Sequence, residues 1–145
     1  MSTWKRFEDM ESWQKARKLS AAVYRFTSTG PCTKDFALVR QVRDAAVSIM
    51  SNIAEGFERD GTREFHQFIA IAKGSAGELR SQLYVALDVG YVTTETFDQL
   101  YEAVTEVSRM LAGLMRYLQR TEIKGHKFAP PEADRERVPN LRVET

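Results

Sequence analysis

The stretch from Leu38 to Arg59, LVRQVRDAAVSIMSNIAEGFER, limits the fold more than any other part of the chain. Val39, Val42, Ala46, Ile49, Ile53 and Phe57 step by three or four, which puts them on one face of a helix. Val47, Met50 and Ala54 form a second apolar row one position further round, so the apolar arc is wider than the inner face of a simple bundle helix needs. Opposite runs a polar row of Gln41, Asp44, Ser48, Asn52, Glu55 and Arg59, with Arg40 and Arg43 beside its start. Buried polar groups need partners, so Ser48, Asn52 and Glu55 are expected to bond to a neighbouring helix; a ligand site is the alternative use of the same row. No catalytic constellation accompanies it.

Three more helical patterns surround this one. The first, about 8–27, turns Trp13, Ala16, Leu19, Val23 and Phe26 inward and carries Glu8, Glu11, Lys15, Lys18 and Arg25 on another face. Those cations could form a phosphate-binding strip. Acids at the start, bases at the end and the i,i+4 pair Glu11–Lys15 fit a solvated face better. Trp13 belongs to the apolar stripe, which favours a core anchor over a base-stacking platform. Gly30-Pro31 breaks the chain before the second helix, about 34–59. Cys32 lies in that break with no companion cysteine and no nearby histidine, so it is read as incidental rather than as a nucleophile.

The third helix, about 62–89, has Thr62 as its expected cap and Phe65, Phe68, Ala72, Leu79, Leu83 and Ala86 inward. Gly74 and Gly77 sit in its middle, where each glycine costs about 1 kcal/mol relative to alanine. Close approach of a neighbouring helix, such as the Ala45-Ala46 region, is the expected reason. A phosphate-binding glycine loop would need a preceding strand and a Gly-Lys-Ser/Thr ending, and has neither. The fourth helix, about 94–120 and capped by Thr93 or Thr94, carries the cleanest heptad: Phe97, Leu100, Val104, Val107, Leu111, Leu114 and Leu118. Its outer face passes from Glu95, Asp98, Glu102 and Glu106 to Arg109, Arg116 and Arg120, a gradient that follows the helix dipole.

Short connections between four helices predict an all-α, antiparallel up-down-up-down four-helix bundle over residues 1–120, with helices about 30–43 Å long. Prolines and mixed charges over 121–145 predict a flexible, charged tail, with Leu141 and Val143 able to dock on a neighbouring subunit. Ile71, Tyr84 and Val85 lie off the main seam of the third helix. With Val47, Met50 and Ala54 they are surplus to one bundle's interior and predict a subunit interface.

The order Gln41-Val42-Arg43-Asp44-Ala45-Ala46-Val47-Ser48-Ile49-Met50-Ser51-Asn52-Ile53-Ala54-Glu55-Gly56 resembles the signature Q-[IV]-R-R-A-A-[VL]-S-I-P-S-N-I-A-E-G of the four-helix bundle proteins encoded in intervening sequences of 23S ribosomal RNA genes. The resemblance runs from Phe7 to Arg120 through Trp13-Gln14-Lys15-Ala16, Glu64-Phe65, Phe68, Ala72, Gly74-Ser75, Glu78-Leu79, Gln82-Leu83 and Gly90-Tyr91. Met50 stands where the family has proline, which predicts a straighter helix. Asp44 replaces a basic residue, which weakens a basic nucleic-acid surface there. The resemblance implies a ring-shaped homopentamer. It also implies an RNA association, because a related branch accompanies retroelement reverse transcriptases and binds both enzyme and nucleic acid. By that resemblance the nucleic-acid contacts would be Lys15, Lys18, Arg40, Arg43, Arg59, Arg63 and Lys73, and the signature polar set Ser48, Ser51, Asn52, Glu55 and Gly56.

Bulk properties set the outer bounds. The formal net charge is only +1, so no global field draws in nucleic acid or membrane. One cysteine precludes an internal disulfide and suits a reducing cytoplasm. The N-terminus lacks a signal-peptide apolar run, and no window approaches a membrane span. Glu-x-x-His pairs and zinc-type Cys/His spacing are missing, so no metal or other cofactor, no small-molecule substrate and no enzymatic activity is expected. Glu55 and Glu78 could act as a carboxylate pair only if brought together; helix–helix hydrogen bonds are their simpler use. Two functions stay open: a homo-oligomeric, RNA-associated accessory module, or an oligomeric scaffold for a protein partner such as a reverse transcriptase, without direct nucleic-acid binding.

Overall fold

The computed structural model describes residues 4–124; the fourth helix runs on to Lys124, so residues 121–124 are helical rather than the start of the tail, and 125–145, with Leu141 and Val143, lie outside the described residues. Four helices make the fold: α1 (Glu11–Thr27), α2 (Phe36–Glu58), α3 (Thr62–Asp88) and α4 (Thr94–Lys124). Each packs on its neighbour in sequence, and α1 also packs on α4, which closes an antiparallel up-down-up-down bundle. At 1.5 Å per residue α1 is about 26 Å long and α4 about 47 Å, a wider spread than the sequence pattern predicts.

The difference at α1 has a local cause. Phe7–Asp9 forms a 3-10 turn, held by the Asp9 carboxylate, which accepts from the backbone N–H groups of Lys5 (3.1 Å) and Arg6 (3.2 Å). Met10 then takes an extended conformation (φ −76°, ψ 123°) that turns its side chain wholly into the core, so the helix starts only at Glu11. Trp4, outside all four helical patterns, is buried in the same core.

A second 3-10 turn, Pro31–Lys34, bridges α1 and α2 after Gly30 at φ +73°. It carries Cys32 fully inward, so this residue is core rather than loop filler. Asp35 then does two jobs. One oxygen caps α2 by accepting from the Leu38 N–H (3.1 Å), and the other accepts from the Tyr91 hydroxyl (2.9 Å) in the α3–α4 turn. Two loops at one end of the bundle are thereby tied together. At α3 the helix begins with Thr62 itself; Gly61 holds the cap position and supplies no side-chain bond. At α4, Thr93 is the cap, its hydroxyl accepting from the Thr96 N–H (3.1 Å).

The whole α4 heptad is buried, as its period dictates. The α3 seam is shifted slightly: Ile69 and Ala76 are fully buried, whereas Phe68 lies half-exposed at the α2–α3 rim. Trp13 and Phe26 on α1 are also only half-buried, packed against the core's edge. The two glycines of α3 do not serve a close contact inside the chain. A Cβ at Gly74 would meet nothing within 4 Å, and one at Gly77 would meet only Arg80 Nη2, at 3.9 Å. The close approach of α2 to α3 occurs at Gly56, where a Cβ would lie 2.7 Å from Phe68 Cβ and 3.0 Å from Phe65 Cδ1.

Candidate functional site

The polar row of α2 splits in two. Ser48 Oγ shares a hydrogen bond with Ser75 Oγ of α3 (2.8 Å), and Asn52 Nδ2 donates to Ser48 O (2.8 Å) and Ser48 Oγ (3.0 Å). This is an interhelical network, with Ser75 as a member that the α2 pattern could not reveal. Glu55 is not part of it: it is exposed and accepts from Arg59 Nη2 on its own helix (2.8 Å). Ser51 is exposed, and Gly56 contributes space rather than polarity. Glu78 likewise stays on its own helix, accepting from Gln82 Nε2 (3.1 Å), so Glu55 and Glu78 do not form a carboxylate pair.

The expected basic contacts do not form one patch. Lys15 is bound to Glu106 of α4, with Glu11 4.0 Å away. Arg43 donates through Nε to Thr27 Oγ1 (2.8 Å) and through Nη2 to Ser28 Oγ (3.1 Å), and its guanidinium lies over the Tyr24 ring, 4.4 Å from the centroid. Arg59 pairs with Glu55 and lies over the Phe68 ring at 4.9 Å. Arg43 and Arg59 stand about 24 Å apart along α2 (16 residues at 1.5 Å each), at opposite ends of the bundle. Lys18, Arg40, Arg63 and Lys73 are exposed.

Of the cations on α1, Lys18 and Arg25 belong to the strip named from the sequence and Arg17 does not. Arg17 and Arg25 are exposed on α1, and neither they nor Lys18 have an acidic partner among the described residues. Arg17 lies over the Trp13 ring, 5.8 Å from its centroid, and Phe7 meets the same ring edge-on at 5.1 Å. Trp13, Gln14, Arg17, Lys18 and Ala21 line a shallow hollow of about 300 Å³. The available signal was the charge balance of the helix: α1 has Lys15, Arg17, Lys18 and Arg25 against Glu11 alone.

The candidate interface residues are also divided. Val47, Ile71, Tyr84 and Val85 are exposed, at 38%, 52%, 48% and 48%. Met50 and Ala54 are half-buried within the chain, Met50 packing on the core and accepting on its sulfur from Ser20 Oγ (3.4 Å). Val47 and Gly74 immediately precede Ser48 and Ser75, which a hydrogen bond joins across α2 and α3, and Ile71 lies one turn before Ser75 on α3. Tyr84 faces α4 instead, in a cluster with Phe97 (4.9 Å) and Tyr101 (5.6 Å); a bond to Tyr101 pushes its phenol pKa up. Phe36 and Val89 are exposed apolar residues that the helical patterns did not single out.

The Cys32 thiol is held above its usual range, first by burial and then by the nearby Asp35 carboxylate, against a smaller pull from Arg43. The bond to Asp35 also raises Tyr91, with burial adding to it. Among the described residues no three His, Cys, Asp or Glu side chains gather as a metal site would require, and no helix is long and apolar enough to cross a membrane.

Comparison with known proteins adds a family and a fold. The family described as 23S rRNA-intervening sequence protein matches residues 8–113. A crystal structure of a protein of unknown function from the S23 ribosomal protein family of Bacteroides thetaiotaomicron superposes with a TM-score of 0.67 at 21% identity, covering 72% of this chain and 98% of that one. At that identity the likeness concerns the fold. No match was found among curated proteins.

Proposed function

We propose a function from one premise: the chain belongs to the family of 23S rRNA-intervening sequence proteins. It acts as a non-enzymatic, homo-oligomeric module that associates with RNA. The observation that carries the oligomeric part is Gly74. It sits in the middle of a continuous 27-residue helix at a cost of about 1 kcal/mol, yet has no steric use within the chain. Exposed Val47 and Ile71 flank it across the Ser48–Ser75 bridge, so a helix of another copy packed there would use the missing side chain and cover both apolar groups. Five copies follow from the resemblance. The non-enzymatic part is supported by how the reactive groups are engaged: Cys32 is buried and favoured as the thiol, Glu55 is bound to Arg59, and Glu78 to Gln82.

The RNA part rests on the family. A net charge of +1 favours a second reading, an oligomeric scaffold for a protein partner such as a reverse transcriptase. Size exclusion with light scattering and the 260/280 nm absorbance ratio separates them. An oligomer that carries nucleic acid and sheds it at high salt supports the RNA module. A protein-only oligomer supports the scaffold, and a monomer at micromolar concentration overturns both.

A further inference from the structure

We propose that the outer face of α1, and not the signature helix α2, is where this protein holds single-stranded RNA, with one base against Trp13 and successive phosphates on Arg17, Lys18 and Arg25. The proposal rests on the RNA reading above and adds the site. Three observations converge on it. The first is which cations are already engaged: Lys15 is bound to Glu106, Arg43 to Thr27, Ser28 and the Tyr24 ring, and Arg59 to Glu55 and the Phe68 ring. A cation that must give up an acid or hydroxyl partner gains less from a phosphate than one without, and among the described residues Arg17 has only the Trp13 ring, 5.8 Å from its centroid, to share with a base. Arg17, Lys18 and Arg25 have no acid among the described residues to displace.

The second is alignment. Gln14, Lys18, Ala21 and Arg25 step by four, three and four along one exposed stripe with Arg17 beside it. Lys18 and Arg25 lie about 10 Å apart on that stripe, with Arg17 one position round the helix beside Lys18, so the charges flank one track along α1 that a strand's phosphates can follow. The third is the aromatic group. Trp13 is half-buried, packed against the core, and it borders a hollow of about 300 Å³ shared with Gln14, Arg17, Lys18 and Ala21. That volume is at the small end of ligand sites, about 300–1,000 Å³, and suits one base rather than a folded RNA element. Gln14 at its edge donates through Nε2 to Glu8 O (2.8 Å), which leaves its second amide N–H and its oxygen for a base edge. A base can stack there only if it is free of its own helix, which selects single strands over duplex.

The test is fluorescence anisotropy of the intact protein with a labelled oligouridylate and, separately, an RNA hairpin without a loop tail, across a salt series. Two variants are compared with the parent at equal helicity and oligomeric state: Arg17→Gln/Lys18→Gln/Arg25→Gln, and Arg40→Gln/Lys73→Gln on α2 and α3. The expected result is tighter binding of the single strand, a loss of about tenfold or more in the α1 variant, and a salt slope flatter by about 2, three contacts at about 0.7 each. The α2/α3 variant should stay near the parent. Unchanged affinity and slope in the α1 variant, a larger loss in the α2/α3 variant, or preference for the hairpin would overturn the site while leaving RNA binding standing. No binding of either RNA by the parent at low salt would remove the RNA reading itself.

Discussion

Gly56 and Gly74 are the same residue in facing helices, and their surroundings differ completely. A Cβ at Gly56 would press to 2.7 Å on Phe68 Cβ, the stiff base of a side chain that cannot swing away, and to 3.3 Å on the Phe65 carbonyl oxygen. A Cβ at Gly74 would meet nothing within 4 Å. At Gly56 the weak helix propensity of glycine is offset by contact within the chain. At Gly74 the same weakness has no internal compensation. Glycine in a helix is thus ambiguous until its neighbours are known, and the two positions predict opposite responses to one substitution.

The largest effect is expected at the packed position. Gly56→Leu would force α2 and α3 apart and cost about 3 kcal/mol or more, seen as a lower urea midpoint. An unchanged midpoint would mean that α2 and α3 are not in this close contact. Gly74→Ala should act the other way, raising the stability of the dissociated chain by about 1 kcal/mol. If the same change weakens assembly in light scattering, Gly74 is an interface residue; if assembly is unaffected, the packing of a second copy on this position is wrong.

A smaller effect separates the two halves of the polar row. Ser75→Ala removes the bridge to Ser48 and should cost about 0.5–1.5 kcal/mol, whereas Ser51→Ala, at an exposed position, should stay within about 0.5 kcal/mol. Equal losses would show that the row is not divided. The smallest effect is alkaline. Tyr91 has its folded pKa raised by donating to Asp35, so above the usual phenol pKa of about 10 the unfolded chain loses its proton first. The bond's contribution is complete below pH 10 and falls as pH rises through the folded value. Tyr91→Phe should flatten that part of the stability–pH curve; an unaltered curve would mean that the Asp35–Tyr91 tie adds nothing to stability.

Much of the architecture was readable in the chain because it depends on near neighbours. The seven heptad positions of α4 are buried as their period demands, and four helices with short joins leave few topologies. Ser48 and Asn52 stood out for the same reason, as polar positions recurring at helical spacing. Helix starts were less legible. The boundary at Glu11 depends on where Met10 can be buried, and the cap at α2 on an Asp35 that also answers to Tyr91, far away in sequence.

The candidate site was the least legible part, because a charge's role is set by what faces it. Lys15 and Lys18 look alike on the helical wheel, yet one is spent on Glu106 and the other has no acidic partner among the described residues. Arg25 stood in a possible phosphate-binding strip that the helix-dipole gradient explained as a solvated face, and Arg17 was not singled out at all. Periodicity is a property of one helix at a time, and it specified which face of each helix is apolar. Which cations remain available, which glycine is filled and which serine completes a bridge are properties of pairs of helices, and those pairs exist only once the bundle has closed.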